Sequence, residues 1–223
     1  MSQASIPVIA IDGPTASGKG TVAQRVAESL GFHYLDSGSL YRLTALAALR
    51  QGIDLADAPE LARVATNLQI AFQGGKTLLD GRDVGDEIRT ESASQNASRV
   101  AALPSVRNAL LNLQHQFRVA PGLVADGRDM GSVVFPDATL KVYLTASAEA
   151  RAERRTKQLK EKGMSAIMDD VVKELRARDV RDMSRLVAPL KQYPDAYLID
   201  TTEITADVAV QKILSLAQKS AGR

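Results

Sequence analysis

The chain has 223 residues, of which 45% are hydrophobic and 24% are charged, and this composition excludes a disordered, collagen-like or coiled-coil protein. Its 28 basic and 26 acidic residues nearly balance, which argues against general nucleic-acid binding, and the absence of cysteine excludes disulfides, thiolate metal sites and a catalytic cysteine. No apolar run approaches the roughly 18 residues of a membrane-spanning helix, and residues 1–12 lack the features of a signal peptide. We therefore expect a cytoplasmic protein of one or two domains.

Strands and helices alternate in the first fifty residues. The apolar, β-branched run at 6–11 predicts a buried strand, and the periodic segment 19–30 predicts a helix that ends at Gly31. A second strand is predicted at 32–35, followed by a helix over 36–51. This order is typical of a parallel α/β sheet, because each helix returns the chain to the start of the next parallel strand.

A small antiparallel meander is predicted in the middle of the chain. Its extended segments at 68–72, 77–79 and 83–84 are separated by the turn pairs Gly74-Gly75 and Asp80-Gly81. The remaining predicted elements are helices at 90–102, 104–118, 147–162, 167–187 and 205–219, and strands at 123–126, 140–144 and 196–200. The expected fold class is therefore α/β, with a central parallel sheet flanked by helices and the meander inserted into it.

A glycine-rich segment with the spacing of a P-loop follows the first predicted strand. Gly13, Gly18 and Lys19 satisfy the pattern G-x-x-x-x-G-K between a strand and a helix, which is the context that the motif requires. Glycines let backbone N–H groups point at an anion, while the helix N-terminus and the lysine add positive charge. The predicted phosphate loop consists of Gly13, Pro14, Thr15, Ala16, Ser17, Gly18, Lys19, Gly20 and Thr21.

This loop departs from the usual pattern after its lysine. Gly20 stands where a serine or threonine usually meets the metal, and Thr21 comes one residue later, rotated by about 100° around the helix. We therefore expect Thr21 to reach a metal through water. The form GKGT is common in nucleoside monophosphate (NMP) kinases, and the chain has no N-K-x-D tetrapeptide that would read guanine.

Three further segments carry arginines that could bind a second phosphate. They are DSGSLYR at 36–42, DGRDMG at 126–131 directly after a predicted strand, and RARDVRDMSR at 176–185, whose arginines are expected on one side of a helix. Taken singly, each has a simpler interpretation as solvated arginines, a turn or a surface ladder of ion pairs. Behind a P-loop they favour an acceptor site, because phosphoryl transfer needs positive charge at both phosphate groups and at the group in transfer.

With these segments the chain resembles the bacterial cytidylate kinases almost from end to end. The matching motifs are IAIDGPTASGKGT, LDSGSLYR, GDEIRT, VAALPSVR, ADGRDMGSVVFPDA, RDVRDMSR and VAPL. The resemblance implies a P-loop kinase fold in one domain over 1–223, with a core at about 1–51, 104–147 and 188–223, an NMP-binding insertion at about 52–103 and a basic helical lid at about 148–187. It implies ATP-dependent phosphorylation of CMP and dCMP with Mg²⁺. We expect a monomer that binds neither nucleic acid nor membranes.

The resemblance also implies a role for each matching residue. The loop residues and Arg155 would bind ATP, under a lid that includes Arg151 and Arg154. The CMP phosphate would be held by Ser37, Arg42, Arg128 and Arg185, the ribose region by Arg178 and Asp182, and the cytosine by Ser98, Arg107 and Asp129. The catalytic residues would be Lys19, Arg128, Arg178 and Arg185, and magnesium would be met through water by Asp126 and Thr21.

The base assignment agrees with the chemistry of cytosine. Its ring nitrogen and carbonyl accept hydrogen bonds that Arg107 can donate, and its amino group donates one that Asp129 can accept. Uracil reverses the amino and ring-nitrogen positions, so it would leave a buried carboxylate facing an oxygen. We therefore expect CMP to be preferred over UMP.

Two other classes of function remain open at this point. Another small P-loop kinase, acting on shikimate, dephospho-coenzyme A or AMP, would share the loop but should lack the paired DSG-x-x-YR and DGRDMG segments. A non-enzymatic nucleotide or RNA binder could use residues 151–191, which carry twelve basic and seven acidic residues. Against RNA binding, that stretch contains no aromatic residue on which a base could stack.

Overall fold

The computed structural model of the chain describes residues 6–161, 163 and 165–221. Two sheets are formed, one of five strands and one of three. The strands are β1 (Val8–Asp12), β2 (His33–Asp36), β3 (Ile70–Gln73), β4 (Lys76–Leu79), β5 (Arg82–Asp83), β6 (Leu123–Gly127), β7 (Leu140–Thr145) and β8 (Tyr197–Asp200). The helices are α1 (Lys19–Leu30), α2 (Ser37–Arg50), α3 (Ala58–Thr66), α4 (Glu91–Val100), α5 (Pro104–His115), α6 (Ala148–Glu161), α7 (Met168–Met183) and α8 (Ala206–Ala221).

The larger sheet has the order β2-β6-β1-β7-β8, and its paired strands run parallel. The central strands β1 and β6 are buried along their whole length, as expected for a parallel sheet with both faces covered. In the register of β1 with β6, Ile11 lies opposite Asp126 and Asp12 opposite Gly127. The predicted parallel α/β sheet is thus confirmed, and acidic residues end two neighbouring strands at the same edge.

One side of this sheet is covered by the first and last helices. Val22 and Val26 of α1 and Ile213 of α8 pack with the buried sheet residues Ile11 and Leu144 in one apolar cluster. Helix α1 ends as predicted, because the residue after it is a glycine with φ 65°, a left-handed conformation that a glycine adopts without a steric penalty. This packing fixes the start of α1 at the end of β1, where the phosphate loop joins them.

The chain divides into two compact units. One consists of the chain up to Leu35 together with the chain from Phe117 onward, and it contains the sheet just described. The other is Asp36–Gln116, in which α3 packs on α5 and α2 on α4 around buried leucines that include Leu61 and Leu110. This second unit includes α2 and α5, which the predicted NMP-binding insertion leaves out.

The predicted meander is confirmed within the second unit. Strands β3, β4 and β5 pair antiparallel in sequence order. Gly74 and Gly75 have φ values of 57° and 76°, and Asp80 and Gly81 have values of 50° and 76°. Both turns therefore use the left-handed backbone that two-residue hairpin loops require.

The helix α3 was not predicted from the sequence. The side chain of Asp57 caps it by accepting a hydrogen bond from Glu60 N at 3.2 Å, and Pro59 lies in its first turn. Leu61 and Val64 form its buried side. An aspartate followed by proline and glutamate before an apolar pair is a helix-start signal, and it was available in the sequence.

The prediction that Arg178 and Arg185 share one helix was wrong for Arg185. Helix α7 ends at Met183, and the chain then turns so that Leu190 N donates to the carbonyl of Asp182 at 2.9 Å. Leu190 is fully buried. Pro189 just before it disfavours helical backbone at Ala188, so α7 cannot extend through that residue.

Over the residues that the structure describes, none of the helices combines the length and the apolar character needed to cross a membrane.

Candidate active site

The phosphate loop passes very close to strand β7. A Cβ atom at Gly13 would lie 2.0 Å from the carbonyl oxygen of Leu144, so only glycine permits this path. Gly18, with φ 87°, is the N-cap of α1 and offers no side chain to the first amides of that helix. Lys19 is buried, and its Nζ donates to the Pro14 carbonyl across the loop at 3.2 Å. A glycine-rich loop that leads into a helix N-terminus, with an ammonium group across it, suits an anionic ligand.

The glycine that follows the lysine makes room for a buried carboxylate. A Cβ atom at Gly20 would lie 3.2 Å from Asp126 Oδ2 and 3.7 Å from the hydroxyl of Tyr34. That hydroxyl donates to Asp126 Oδ2 at 3.2 Å, and Lys19 Nζ lies 3.9 Å from Asp126 Oδ1. A serine at position 20 would crowd this group, which explains the departure from the usual motif. Thr21 is exposed on α1.

A magnesium ion fits this carboxylate only as part of a larger complex. Within residues 6–161, 163 and 165–221, no three acidic, histidine or cysteine residues are grouped so that they could hold a metal ion. Magnesium is commonly held in kinases by one or two carboxylates, by water and by the phosphates of the nucleotide. The single carboxylate of Asp126 beside the loop therefore fits a metal that arrives with a nucleotide.

The outer side of the phosphate loop is held by cationic side chains from α6. Arg151 Nη1 donates to the Thr15 carbonyl at 3.1 Å, and Arg154 Nη1 to the Ser17 carbonyl at 3.4 Å. The hydroxyl of Thr201 donates to the same Ser17 carbonyl at 3.2 Å. These contacts pair two carbonyls of the loop, those of Thr15 and Ser17, with side chains from other elements. Sequence reasoning missed Thr201, whose neighbourhood carries no motif.

A buried aspartate gathers two of the predicted acceptor arginines. Asp182 is 1% exposed, and it accepts a hydrogen bond from Arg128 Nε at 2.9 Å and another from Arg185. Burial alone would raise its pKa, but Arg128 and Arg185 outweigh that effect and hold the pKa of Asp182 below its ordinary value. Burial works to lower the pKa of Arg128, while Asp182 raises it above its ordinary value. Asp182 thus stays anionic and fixes the two guanidinium groups.

Asp12, which sequence reasoning missed, fixes the DGRDMG segment. Its carboxylate accepts hydrogen bonds from Met130 N at 2.8 Å and Gly131 N at 2.9 Å. These amides directly follow Asp129, which is 3% exposed and precedes a single π turn over Met130–Val134. Burial raises the pKa of Asp12 to about 7. An aspartate at the end of a strand just before the loop glycine was the only sequence signal for this role.

The Asp36–Gln116 unit orders its own set of predicted residues. Asp36 caps α2 by accepting from Ser39 N at 3.0 Å, and its other carboxylate oxygen pairs with Arg42. The hydroxyl of Ser37 donates to Gln114 Oε1 at 2.6 Å. Asp36 and Gln114 were not predicted as site residues, and their contacts hold two residues that were.

The same unit holds Ser98 and Arg107, two of the three residues predicted to read a base, while Asp129 belongs to the other unit. Arg107 is buried, its guanidinium lies 5.7 Å from the centre of the Tyr41 ring, and its Nη1 donates to the Ala101 carbonyl at 3.2 Å. Ser98 Oγ and Arg42 Nε are buried without a hydrogen-bond partner among the described residues. Buried polar atoms are normally paired, so such atoms point to a bound ligand.

Two further residues that were predicted to bind the nucleotides lie on the helices α6 and α7. Arg155 is partly buried on α6, and Arg178 is partly buried on α7, one turn before Asp182.

The raised pKa of Asp12 predicts a pH-dependent difference in stability between the wild type and Asp12→Asn. The native state binds the carboxyl proton of Asp12 more tightly than the unfolded chain, in which the pKa of this group is near 3.8. The stabilisation that this proton gives the native state is therefore complete below pH 3.8 and is lost as the pH rises through about 7. Asp12→Asn does not lose stability in this way, because asparagine has no carboxyl proton to release. Between pH 5 and pH 8 its unfolding free energy should therefore rise relative to wild type by about 2–3 kcal/mol.

Urea unfolding of both proteins across this pH range measures the difference. Asp207→Asn, at an exposed carboxylate of α8, is the control, and its difference from wild type should not rise in the same way. A constant difference for Asp12→Asn would contradict the raised pKa.

Comparison with known proteins agrees with the motifs and the geometry. A family model described as cytidylate kinase matches residues 9–219. A protein named cytidylate kinase from Bordetella pertussis is 57% identical over 213 residues, which cover 96% of each chain. Another of that name, from Chromobacterium violaceum, is 60% identical over 210 residues, or 94% of this chain and 95% of the other.

Among solved structures, an uncharacterized protein from Eubacterium ventriosum aligns with a TM-score of 0.51. Its sequence is 12% identical, and the alignment covers 95% of this chain and 98% of that one. This likeness concerns the fold alone. The family model and the two relatives extend over nearly the whole sequence, including the phosphate loop and every arginine-bearing segment described above. The chain belongs to the cytidylate kinase family.

Proposed function

We propose that this protein transfers the γ-phosphoryl group of ATP to CMP or dCMP, forming ADP with CDP or dCDP. The observation that carries the proposal is the cluster of Arg128 and Arg185 around the buried Asp182, in the same compact unit as the phosphate loop. A loop of amides suits one phosphate group and a pair of fixed guanidinium groups suits another. Membership of the family supports the pairing of these two features in one reaction.

On the donor side, residues 13–21 bind the phosphates of ATP and Arg155 of the lid contributes to ATP binding. Lys19 is buried at the start of α1, and its contact with Pro14 keeps its ammonium group across the loop. This placement supports a role in stabilising negative charge on the transferring phosphoryl group. The contacts of Arg151 and Arg154 with loop carbonyls support a second role for the lid, in which it holds the loop in shape.

On the acceptor side, the CMP phosphate is bound by Arg128 and Arg185 together with Ser37 and Arg42. Arg42 carries a buried Nε that no described group accepts from, which supports a ligand there. Arg178 and Asp182 contact the ribose region, and Arg178 also approaches the transferring group.

The cytosine is read by Ser98, Arg107 and Asp129. The buried hydroxyl of Ser98, which has no hydrogen-bond partner in the part of the chain that the structure describes, and the burial of Arg107 support a ligand-binding role for these residues. Arg107 donates to the base acceptors, and Asp129 accepts from the exocyclic amino group. The buried carboxylate of Asp129 is suited to this role, because a base that lacks the amino group would leave it facing an oxygen.

The chemical step is an in-line attack by a CMP phosphate oxygen on the γ-phosphorus. A new P–O bond forms as the bond from the γ-phosphorus to the bridging oxygen breaks, and ADP leaves with that electron pair. The attacking oxygen is already anionic, since a phosphate monoester has a second pKa of about 6, so neither histidine is needed as a base. Lys19, the loop amides and the arginines align the groups and stabilise the charge. Asp126 and Thr21 would hold magnesium through water, and the metal would supply charge neutralisation of the ATP phosphates.

The setting of the reaction belongs to the same proposal: a cytoplasmic monomer that requires Mg²⁺ and binds no nucleic acid. Among the basic residues of the lid, Arg151, Arg154 and Arg176 spend hydrogen bonds on carbonyls or carboxylates of the same chain. The carboxylates of Asp179 and Glu149, which pair with Arg151 and Arg176, offset part of the positive charge that this region would offer to RNA. Sedimentation at working concentration tests the monomer, and chelation with EDTA, which should abolish turnover, tests the metal.

A coupled assay of ADP release tests the reaction itself. With ATP as donor we expect turnover of CMP and dCMP, weaker turnover of UMP, and little with AMP or shikimate. Activity confined to AMP or shikimate would assign another P-loop kinase reaction. No transfer to any acceptor, combined with salt-dependent retention of RNA, would favour a binding protein instead.

Lys19→Met should lower kcat by at least about 100-fold, because it removes a charge placed on the transferring phosphate. The circular dichroism spectrum should stay native. Lys212→Met, at an exposed lysine of α8, is the matched control and should keep the wild-type rate. Near-normal turnover in the Lys19 variant would contradict the role assigned to this lysine.

Asp129→Ala should lower the ratio of kcat/KM for CMP to that for UMP by about tenfold or more, because the acceptor for the cytosine amino group is lost. Asp129→Asn keeps the shape and adds an amide donor, so it should favour UMP further. The two substrates are compared in the same coupled assay. An unchanged ratio in both variants would show that another residue reads the base.

A further inference from the structure

Among the described residues, Arg176 with Glu149 and Arg151 with Asp179 form ion pairs between helices α6 and α7, in different environments. Arg176 and Glu149 pair at 2.7 Å on the surface, where their side chains are 64% and 60% exposed. Arg151 and Asp179 pair at 2.6 Å, where the side chains are only 6% and 14% exposed. The buried pair differs in a second way, since Arg151 also contacts the phosphate loop.

The guanidinium group of Arg151 is fixed from three directions. Its Nε donates to the Ala146 carbonyl at 3.1 Å, its Nη1 to the Thr15 carbonyl at 3.1 Å, and Nη1 and Nη2 to the two carboxylate oxygens of Asp179 at 3.2 and 2.6 Å. Such two-pronged pairs are geometrically strict. The Thr15 carbonyl belongs to the same rigid peptide plane as the N–H of Ala16 inside the loop. A shift of that peptide therefore disturbs Arg151 and, through it, Asp179.

The next turn of α7 carries the aspartate of the acceptor cluster. Asp182 lies three residues after Asp179, and it holds Arg128 at 2.9 Å and also Arg185. Two aspartates one turn apart thus connect α7 to the donor loop and to the acceptor arginines. All of these contacts lie within one compact unit.

We propose that Asp179 is a positioning residue that couples the binding of ATP to the binding of CMP. Asp179 acts through Arg151 on the loop and through α7 on Asp182. A nucleotide that orders the Thr15–Ala16 peptide restrains Arg151, Asp179 and then α7, which prepares the arginine cluster for the acceptor phosphate. CMP then binds to a site that is already ordered, so its binding loses less conformational entropy. This inference rests on the proposed function, because it requires both nucleotides to bind.

Calorimetry of the intact protein measures this coupling directly. The dissociation constant of CMP is determined without and with a saturating non-hydrolysable ATP analogue, for wild type, Asp179→Asn and Glu149→Gln. In the wild type the analogue should tighten CMP binding about fivefold or more, within the usual range of coupling between sites. In Asp179→Asn the ratio should fall to near one, because a neutral amide cannot accept both guanidinium hydrogen bonds.

Glu149→Gln is the matched control. It weakens an ion pair between the same two helices, and Glu149 pairs with Arg176 on the surface, away from the loop and the acceptor cluster, so the variant should keep the wild-type ratio. Since coupling is reciprocal, CMP should change the affinity of the analogue by the same factor in each protein. A merely structural role of Asp179 would instead lower the thermal midpoint and leave the ratio of affinities intact.

Three results would overturn the proposal. The first is a wild-type ratio of one between the CMP dissociation constants without and with the ATP analogue. The second is the wild-type ratio in Asp179→Asn, and the third is a loss of coupling in Glu149→Gln equal to that in Asp179→Asn. If Asp179→Asn does not fold, Arg151→Lys decides the matter, because a lysine keeps the charge but cannot span Thr15 and both oxygens of Asp179. Full coupling in that variant would also refute the proposal. Failure of CMP to bind the wild type would contradict the proposed function itself, whereas a ratio of one with both ligands bound contradicts the coupling alone.

Discussion

The site depends on a glycine-rich loop whose carbonyls are paired by side chains from other parts of the same unit. Gly13 brings this loop to within contact of the Leu144 carbonyl, where any side chain would collide. Side chains from elsewhere in the unit donate hydrogen bonds to two carbonyls of this loop: Arg151 to that of Thr15, and Arg154 and Thr201 to that of Ser17. A polar group buried without a partner is costly, so these contacts stabilise the loop in its observed shape. The hydrogen bonds that stabilise the folded loop therefore also hold it in place for a ligand.

Buried carboxylates organise the positive charge around that loop. Asp126 lies beside Lys19, Asp182 between two arginines, and Asp12 against two backbone amides. Arg128 and Arg185 outweigh the desolvation of Asp182, whereas at Asp12 burial outweighs the two amides and raises the pKa. Because the guanidinium groups are already fixed by protein partners, little reorganisation is needed when a phosphate arrives, which is the arrangement that favours catalysis by electrostatic stabilisation.

Much of the fold could be predicted from the sequence, because its signals are local. The strand–loop–helix at the N-terminus, the end of α1 at Gly31 and the two hairpin turns of the meander follow from periodicity and from glycine positions. Helix α3 was missed although Asp57 gave a capping signal, since the segment was short and its apolar face small. The end of α7 was misplaced because the burial of Leu190, seven residues beyond that end, outweighs helix propensity.

By itself the sequence determined the phosphate loop, the parallel α/β class and the types of residue available for a second phosphate. Only the tertiary structure decided how they pair: Asp182 with Arg128, 54 residues away, and Asp12 with amides 118 and 119 residues away. Periodicity reports which side of a helix or strand a residue lies on. Contacts between distant segments depend on strand order and register, which result from the packing of the whole sheet and its helices. That is why the motifs identified the chemistry, while the residues that position it emerged only from the folded chain.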